Sequence, residues 1–301
     1  MKIMINRKPV FGPWGGGIKT VNKMVERLQA SGHEVVFRLE SNIDIIFCID
    51  PRPNEYGEWY QNFLNYKMQH NIKIIQRVGD LGTHGKPELT NLLRQTLNYS
   101  DFMIFPSEWA KEWINYRGKN CKVVNNRPMK IFHKYKNNKT SLNNKVKLVT
   151  HHWSTNPKKG FDFYENLQKY VNGSEEYDFT YIGRKPEQYK FSNYLPPLPA
   201  EEVAKELPRH NIYITASREE AGANHVLEAM AAGLPVVYHS AGGSVVNYCS
   251  SHGESYEDVE TMIAAIKKVV AKYDFYKNKV LEYNEDIECV IDEYEEIINN
   301  V

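Results

Sequence analysis

The sequence predicts an α/β protein of two domains, each built around parallel strands. Three observations lead there. Short apolar runs of strand length, such as residues 43–49, alternate with segments whose apolar residues recur at helical spacing. Gly and Pro punctuate the boundaries between them. The chain has 301 residues, and a single core usually stops growing near ~250–300 residues.

Composition narrows the class. Hydrophobic residues make up 42% and charged residues 25% of the chain, as in a soluble globular enzyme. The formal net charge is +1, so no global field draws the protein to nucleic acid or to a membrane surface. Cys48, Cys121, Cys249 and Cys289 are scattered without a C-x-x-C pair, which argues against a zinc site or a disulfide framework and fits a reducing compartment. The opening MKIMIN reads as a strand with no apolar signal region behind it. No run reaches the ~18 apolar residues of a membrane span. A cytoplasmic protein is expected.

Residues 2–6 read as a short buried strand. A Gly/Pro loop over 9–17 ends in Trp14-Gly15-Gly16-Gly17, and Ile18, Val21, Val25 and Leu28 then give a helix one apolar face, ended by Gly32. Strand, glycine loop and helix form a layout in which backbone approaches phosphate, although G-x-G-x-x-G is absent. Residues 34–37 return as a strand. The unbroken apolar run 43–49 fits a strand buried on both faces, and Pro51 and Pro53 break it. A helix over 59–68 and a strand over 72–76 lead into a loop carrying Arg77, Asp80 and His84. Ligands of open α/β sheets sit beyond the carboxyl ends of strands, so these three lie near a cleft. Residues 102–106 form a strand, and Ser107 caps the next helix. Residues 117–147 hold ten Lys or Arg and no acid. That run is either a solvated connector between domains or a steering patch for an anionic acceptor.

The second half is more specific. Residues 146–150 begin a new strand, followed by His151 and His152, which lack a nearby acid or cysteine and make a poor metal site. Residues 161–171 form a helix, and 178–182 a strand ending in Gly183-Arg184 at its carboxyl edge. After a Pro-rich turn, a helix over 200–207 and a strand over 211–215 deliver Ser217–Glu220. Glu220 and Glu228 stand eight positions apart, separated by the small loop Ala221-Gly222-Ala223 and the start of a helix. Asn224 suits the N-cap, Gly233 the left-handed position after the helix, and Pro235 stops it. The helix N-terminus favours anions, and Glu228, Asn224 and His225 lie in its first turns. The layout asks for an anionic, hydroxyl-rich ligand. A strand over 234–239, the loop Ala241-Gly242-Gly243-Ser244 and a helix with Val259, Met262, Ile263, Ile266 and Val269 on one face follow. Residues 282–296, with eight acids and no base, read as a terminal amphipathic helix.

The spacing Glu220-x7-Glu228, followed by Ala229-Met230-Ala231-x-Gly233-x-Pro235-Val236-Val237, resembles the nucleotide-sugar site of retaining GT-B glycosyltransferases, glycosyltransferase family 4 (glycosyl transferases group 1). The resemblance implies two Rossmann-like domains with parallel sheets facing across a cleft. It sets an acceptor-side domain at 1–138, a linker at 139–145, a nucleotide-sugar domain at 146–283, and a helix at 284–301 crossing back to the first domain. It gives Glu220 the donor sugar and Glu228 the ribose hydroxyls. Lys159-Gly160 matches half of the family's Arg-x4-Lys-Gly phosphate clamp, so Lys159 joins Glu220 as catalytic, whereas Ser154 stands where the arginine would be. Gly16 and Gly17 in the first loop and Gly242 and Gly243 in the last are assigned to the donor phosphates. Ser154, Arg184, Gly222, Ala223, Asn224 and His225 complete the donor-binding set. Val245, Val246 and Asn247 replace a glutamate that the family often places beyond the Gly-Gly loop.

The implied reaction is hexosyl or pentosyl transfer from a UDP- or GDP-sugar to a hydroxyl acceptor, with retention, without metal or cofactor and without a covalent residue. Asp80 or His84 is the candidate base for the acceptor. The acceptor is a glycan or another hydroxyl compound. Nucleic acid is disfavoured by the near-zero charge. Two alternatives accompany this reading: a catalytically inactive glycan- or nucleotide-binding module, suggested by Ser154 and Val245, and a nucleotide-sugar 2-epimerase of the same fold.

Overall fold

The computed structural model describes residues 1–10, 16–139, 142 and 145–301. Gly15 of the glycine loop and residues 140, 141, 143 and 144 of the expected linker lie outside the described residues. The chain forms two units, Met1–Asn126 with Ile287–Val301, and Arg127–Asp286. Residues 127–138, grouped with the first domain in the sequence reading, thus belong to the second unit.

In the first unit the order is β1 (Lys2–Ile5), α1 (Gly16–Ala30), β2 (Glu34–Val36), β3 (Ile45–Cys48), α2 (Tyr60–Gln69), β4 (Lys73–Arg77), α3 (Pro87–Thr96), β5 (Phe102–Phe105), α4 (Glu108–Trp113) and β6 (Cys121–Val123). All neighbours in the sheet β2-β1-β3-β4-β5-β6 are parallel. β3 is buried at every position, which is why it reads as a continuous apolar run rather than an alternating one. Ser107 caps α4 as expected, its Oγ accepting the Ala110 N–H at 3.0 Å.

The second unit continues with α5 (Ile131–Lys134), β7 (Val146–His152), a 3₁₀ turn (Pro157–Lys159), α6 (Phe161–Asn172), β8 (Tyr177–Gly183), β9 (Asn193–Leu195), α7 (Ala200–Glu206), β10 (Ile212–Thr215), α8 (Asn224–Ala231), β11 (Val236–His239), α9 (Ser244–Cys249), β12 (Gly253–Tyr256), α10 (Val259–Ala271) and α11 (Tyr273–Glu282). Its sheet, β12-β11-β10-β7-β8-β9, is also wholly parallel. The chain then re-enters the first unit as α12 (Ile287–Asn300). That helix sinks Ile287, Val290, Ile291, Tyr294, Ile297 and Ile298 into the core around Ile3 and Phe47, and its acidic face meets Arg27 of α1 through Glu288 and Asp292.

Each sheet contains one place where the chain reverses its direction of growth. From β1 the chain first adds β2 on one side and then β3 on the other. From β7 it adds β8 and β9 on one side, then β10, β11 and β12 on the other. Two crevices follow, at the carboxyl ends of β1/β3 and of β7/β10, the positions where open parallel sheets bind ligands.

Candidate functional site

The β7/β10 crevice collects the acids that sequence singled out. β7 runs two residues further than its apolar pattern suggests, so His151 and His152 are strand residues, 2% and 3% exposed. His151 Nε2 lies 2.8 Å from Glu228 Oε2 of α8. Glu228 is itself only 5% exposed. A carboxylate can only accept, so Nε2 carries the proton. Nδ1 of the same ring is buried with no hydrogen-bond partner. As a bare lone pair it costs less than an orphaned N–H would, and this tautomer fits the site.

His152 anchors the second strand. Tyr164 of α6 accepts the Ala216 N–H at 2.8 Å and shares a hydrogen bond with His152 Nε2 at 2.6 Å. Burial pushes the Tyr164 hydroxyl up to about 12, so it keeps its proton. This bridge fixes the backbone just before Ser217. His225 of α8 is also interior, its Nε2 2.9 Å from Thr215 Oγ1. Burial first, with Lys159 adding repulsion, depresses its pKa to about 3, so the ring is neutral.

Residues 217–220 leave β10 along the rim. Glu220 pairs with the adjoining loop as an isolated parallel bridge to Gly243: its N–H donates to Gly242 C=O at 3.2 Å, and its C=O accepts the Ser244 N–H at 2.9 Å. The Glu220 carboxylate is bound by the ammonium of Lys159, with both side chains mostly buried. The neighbouring Lys158 and Glu219 form a matching, more exposed pair. Gly160 makes this possible. Its φ of +75° suits glycine, and a Cβ there would lie 2.5 Å from both Cβ and O of Ala216. Only without a side chain can the 3₁₀ turn press against β10 and carry Lys159 to Glu220.

Several expected residues take other parts. Asn224 is not the N-cap: α8 begins at Asn224 itself, Ala223 holds the cap position, and no cap side chain bonds the first turn. Ser244 Oγ, at the start of α9, accepts the Ala223 N–H at 3.0 Å and ties the cap residue to the next helix. That N–H, expected to face ligand, is therefore engaged. Gly242 gives its N–H to His239 C=O at 3.0 Å, and a Cβ there would lie 2.8 Å from Val245 Cβ, so packing alone demands glycine. Ser154 Oγ accepts the Asn156 N–H at 3.2 Å and shapes the turn before Lys159. Arg184 is exposed, its N–H tied to His152 C=O at 2.9 Å. Gly222 lies in the loop between Glu220 and α8. The histidine that holds Glu228 was missed in sequence. The available signal was the buried helix face carrying Glu228, because a carboxylate there needs a donor.

The other expected residues belong to the first unit. Gly16 and Gly17 open α1. Asp80 follows β4, its carboxylate accepting from Lys86 Nζ at 2.6 Å and from the Gly82 N–H at 2.9 Å. His84 lies in the same loop before α3. No described helix is long and apolar enough to cross a membrane.

Residues 150–272 match the family model of glycosyl transferases group 1. No curated protein matches the chain in sequence. Among solved structures, sucrose-phosphate synthase from Thermosynechococcus elongatus is 12% identical, over 99% of this chain and 98% of its own, with a TM-score of 0.74. WaaG, a glycosyltransferase involved in lipopolysaccharide biosynthesis, is 12% identical over 99% of both chains, with a TM-score of 0.66. HepE from Anabaena, in complex with UDP and glucose, is 11% identical over 100% of this chain and 99% of its own, also at 0.66. Likenesses at such identities establish the fold. The chain has the GT-B fold, and its residues 150–272 are similar to the glycosyl transferases group 1 family.

Proposed function

We propose that the chain moves a sugar from a nucleotide-diphosphate sugar to an acceptor hydroxyl, with the donor held at the β7/β10 crevice of the second unit. The observation that carries this is the convergence of Lys159–Glu220 and His151–Glu228 on that one sheet edge. Glu228, held by His151, accepts from the ribose hydroxyls in charge-assisted hydrogen bonds. Glu220 accepts from hydroxyls of the donor sugar. Lys159 neutralises the diphosphate as it leaves. In the free protein that ammonium rests on Glu220. A donor phosphate would draw it away and release the carboxylate for the sugar, so binding itself sets the site.

In the reaction the bond from the sugar's anomeric carbon to the diphosphate oxygen breaks, and the bond to the acceptor oxygen forms. The acceptor's proton passes to the departing phosphate. Cations aimed at the leaving oxygen are worth most in the transition state, where charge on that oxygen is greatest. Retention of configuration and independence of a metal ion belong to this reading, as does Asp80 or His84 as the group nearest the acceptor hydroxyl. HepE is in complex with UDP and glucose, which supports a UDP-sugar as donor here.

The test is nucleotide release. The full chain is screened for thermal stabilisation by UDP-, GDP-, ADP- and TDP-sugars, since a tight ligand raises stability by mass action. The best donor is then incubated with acceptor hydroxyl compounds. Release of nucleoside diphosphate with formation of a glycoside, unaffected by EDTA, supports the proposal. Stabilisation without turnover would leave a binding module, and transfer abolished by EDTA and restored by magnesium or manganese would overturn metal independence.

A further inference from the structure

The first unit holds a cavity of about 570 Å³ at the carboxyl ends of β1, β3 and β4, the β1/β3 crevice of its sheet. Five cationic side chains line it against two carboxylates, an excess of three positive charges in a protein whose net charge is +1. Arg7 follows β1 and Arg52 follows β3. Both point at Asp50, which Arg52 grips through Nε and Nη2 at 3.0 and 2.6 Å, and Arg7 approaches at 3.3 Å. Burial alone would raise the Asp50 pKa, but the Arg52 and Arg7 contacts outweigh it and hold the carboxyl below its usual range. One carboxylate therefore serves two guanidinium groups. Lys86 is answered by Asp80.

Arg77 has no such answer. It ends β4 and is 3% exposed. Its partners are neutral: Tyr294 accepts from Nε at 2.7 Å, and Asn126 Oδ1 accepts from Nη2 at 3.0 Å. Among the described residues no carboxylate forms an ion pair with it, and the residues outside that set (Phe11–Gly15, Thr140, Ser141, Asn143, Asn144) include no acid. An arginine cannot discharge itself by losing its proton. A buried guanidinium without a counter-charge is costly unless an anion completes it. Gly79 stands at its side: a Cβ there would lie 2.6 Å from Arg77 Nη1, so glycine keeps that nitrogen uncovered where the group lines the cavity.

We propose that this cavity binds a phosphomonoester, and that the acceptor of the transfer reaction carries one. The charge excess suits a group of about −1.5 to −2 better than a single carboxylate. Guanidinium forks match the oxygens of phosphate. The volume is that of a small-molecule site, which limits the remainder to something the size of a phosphorylated sugar or polyol. Only the word acceptor rests on the transferase reading. The anion site stands on the first unit's own residues.

The test is calorimetric titration of the full chain with glucose 6-phosphate, glucose and glucuronate as probes. The expected result is binding of glucose 6-phosphate at least tenfold tighter than of either competitor. Arg7→Gln and Arg77→Gln should each weaken it by at least tenfold, whereas Lys159→Ala, in the second unit, should leave it within twofold. If Arg77→Gln does not fold, Arg7→Gln alone decides. Equal affinity for glucose, no binding of the phosphate ester, or loss on Lys159→Ala with retention in Arg7→Gln would overturn the proposal. Phosphate-ester binding in a chain that shows no donor binding would refute the transferase reading and leave the anion site standing.

Discussion

The two units follow the same topological rule and furnish their crevices in opposite ways. At β7/β10 three charged groups are met by partners of opposite sign or by histidine: Lys159 with Glu220, Lys158 with Glu219, Glu228 with His151. At β1/β3 the positive groups outnumber the negative, and a buried arginine has only neutral partners. The first arrangement must be opened by exchange, a ligand taking the place of an internal partner. The second is completed by addition. A reversal in strand order therefore says where a ligand goes and little about its charge, which is set by the few residues just past each strand.

The largest effect that can test this contrast is on turnover. If Lys159 is exchanged from Glu220 to a leaving diphosphate, Lys159→Ala should lower kcat by about 10²–10³, in the range of removing one transition-state donor. Its effect on free nucleoside binding should be within a few-fold. Equal losses in kcat and in nucleoside affinity, measured by steady-state kinetics and calorimetry, would make the lysine a ground-state binder.

Next in size is Glu228. Glu228→Gln keeps the shape and still offers an amide oxygen to His151 Nε2–H, which is 2.8 Å from the present carboxylate. It should lower donor affinity by about 10–100-fold, the equivalent of about 1.5–3 kcal/mol for a hydrogen bond to a charged group. Urea unfolding should change by less than about 1 kcal/mol. Glu228→Ala removes the partner of a buried ring and should cost about 1–3 kcal/mol of stability as well. An unchanged donor affinity in the Gln variant would remove Glu228 from the site.

These two residues also show what sequence could and could not convey. The Glu220–Glu228 spacing, the small loop and the Gly233 stop were legible because they are local, and Gly233 does adopt φ +84°. Most strands announced themselves as apolar runs. The His151–Glu228 pair joins residues 77 positions apart, through the alignment of β7 beside β10, and no window of sequence contains it. β12 was silent for a different reason: Gly253–Tyr256 has no apolar run, and it becomes a strand by pairing beside β11, where Gly253 packs against Val236 with no room for a Cβ. α11 and the short α9 likewise went unread, and α3 shows its apolar face only once Leu89 and Leu93 are placed on the core side. The asparagine expected to cap α8 is instead its first helical residue, and the Ser244 hydroxyl at the start of α9 bonds the N–H of the cap residue Ala223. In the first unit the excess charge of the cavity was invisible because Arg7, Arg52 and Arg77 come from separate strand ends and Lys86 from the start of α3, not from one run.

A smaller effect contrasts two buried cations. Lys277 of α11 is fully buried and donates to Gly233 C=O at the end of α8. Burial first, and then Lys136, lower its pKa to about 8. Unlike Arg77, it can shed its charge. The folded pKa is depressed, so between about pH 8 and the unfolded value near 10.5 the unfolded chain binds more protons and stability rises with pH. Lys277→Met should erase that rise, a difference on the order of 2 kcal/mol between pH 7 and 10. Parallel pH profiles of urea unfolding for the two proteins, with no divergence across that window, would show that the lysine does not titrate there.

The smallest effect belongs to the charged surface where α12 lies on α1. The core side of α12 is apolar and buried, whereas Arg27 is shared among Glu288, Asp292 and Glu295, Lys23 meets Glu288 at 3.0 Å, and Lys122 meets Glu293 at 3.0 Å. Exposed pairs are each worth about 0.2–1 kcal/mol and fade as salt screens them over about 8–10 Å. The apolar face, by contrast, buries whole side chains at about 1.5–3 kcal/mol each. Docking of α12 should therefore depend on Ile291 and Tyr294 far more than on its acids. Arg27→Gln should cost less than about 1 kcal/mol, and the loss should shrink in 0.5 M salt. Ile291→Ala should cost about 2–5 kcal/mol at either salt concentration. Hydrogen exchange at the α12 amides reads both: protection that falls as far in Arg27→Gln as in Ile291→Ala, or that collapses with salt in the unaltered chain, would mean that charge rather than burial holds the helix to the first unit.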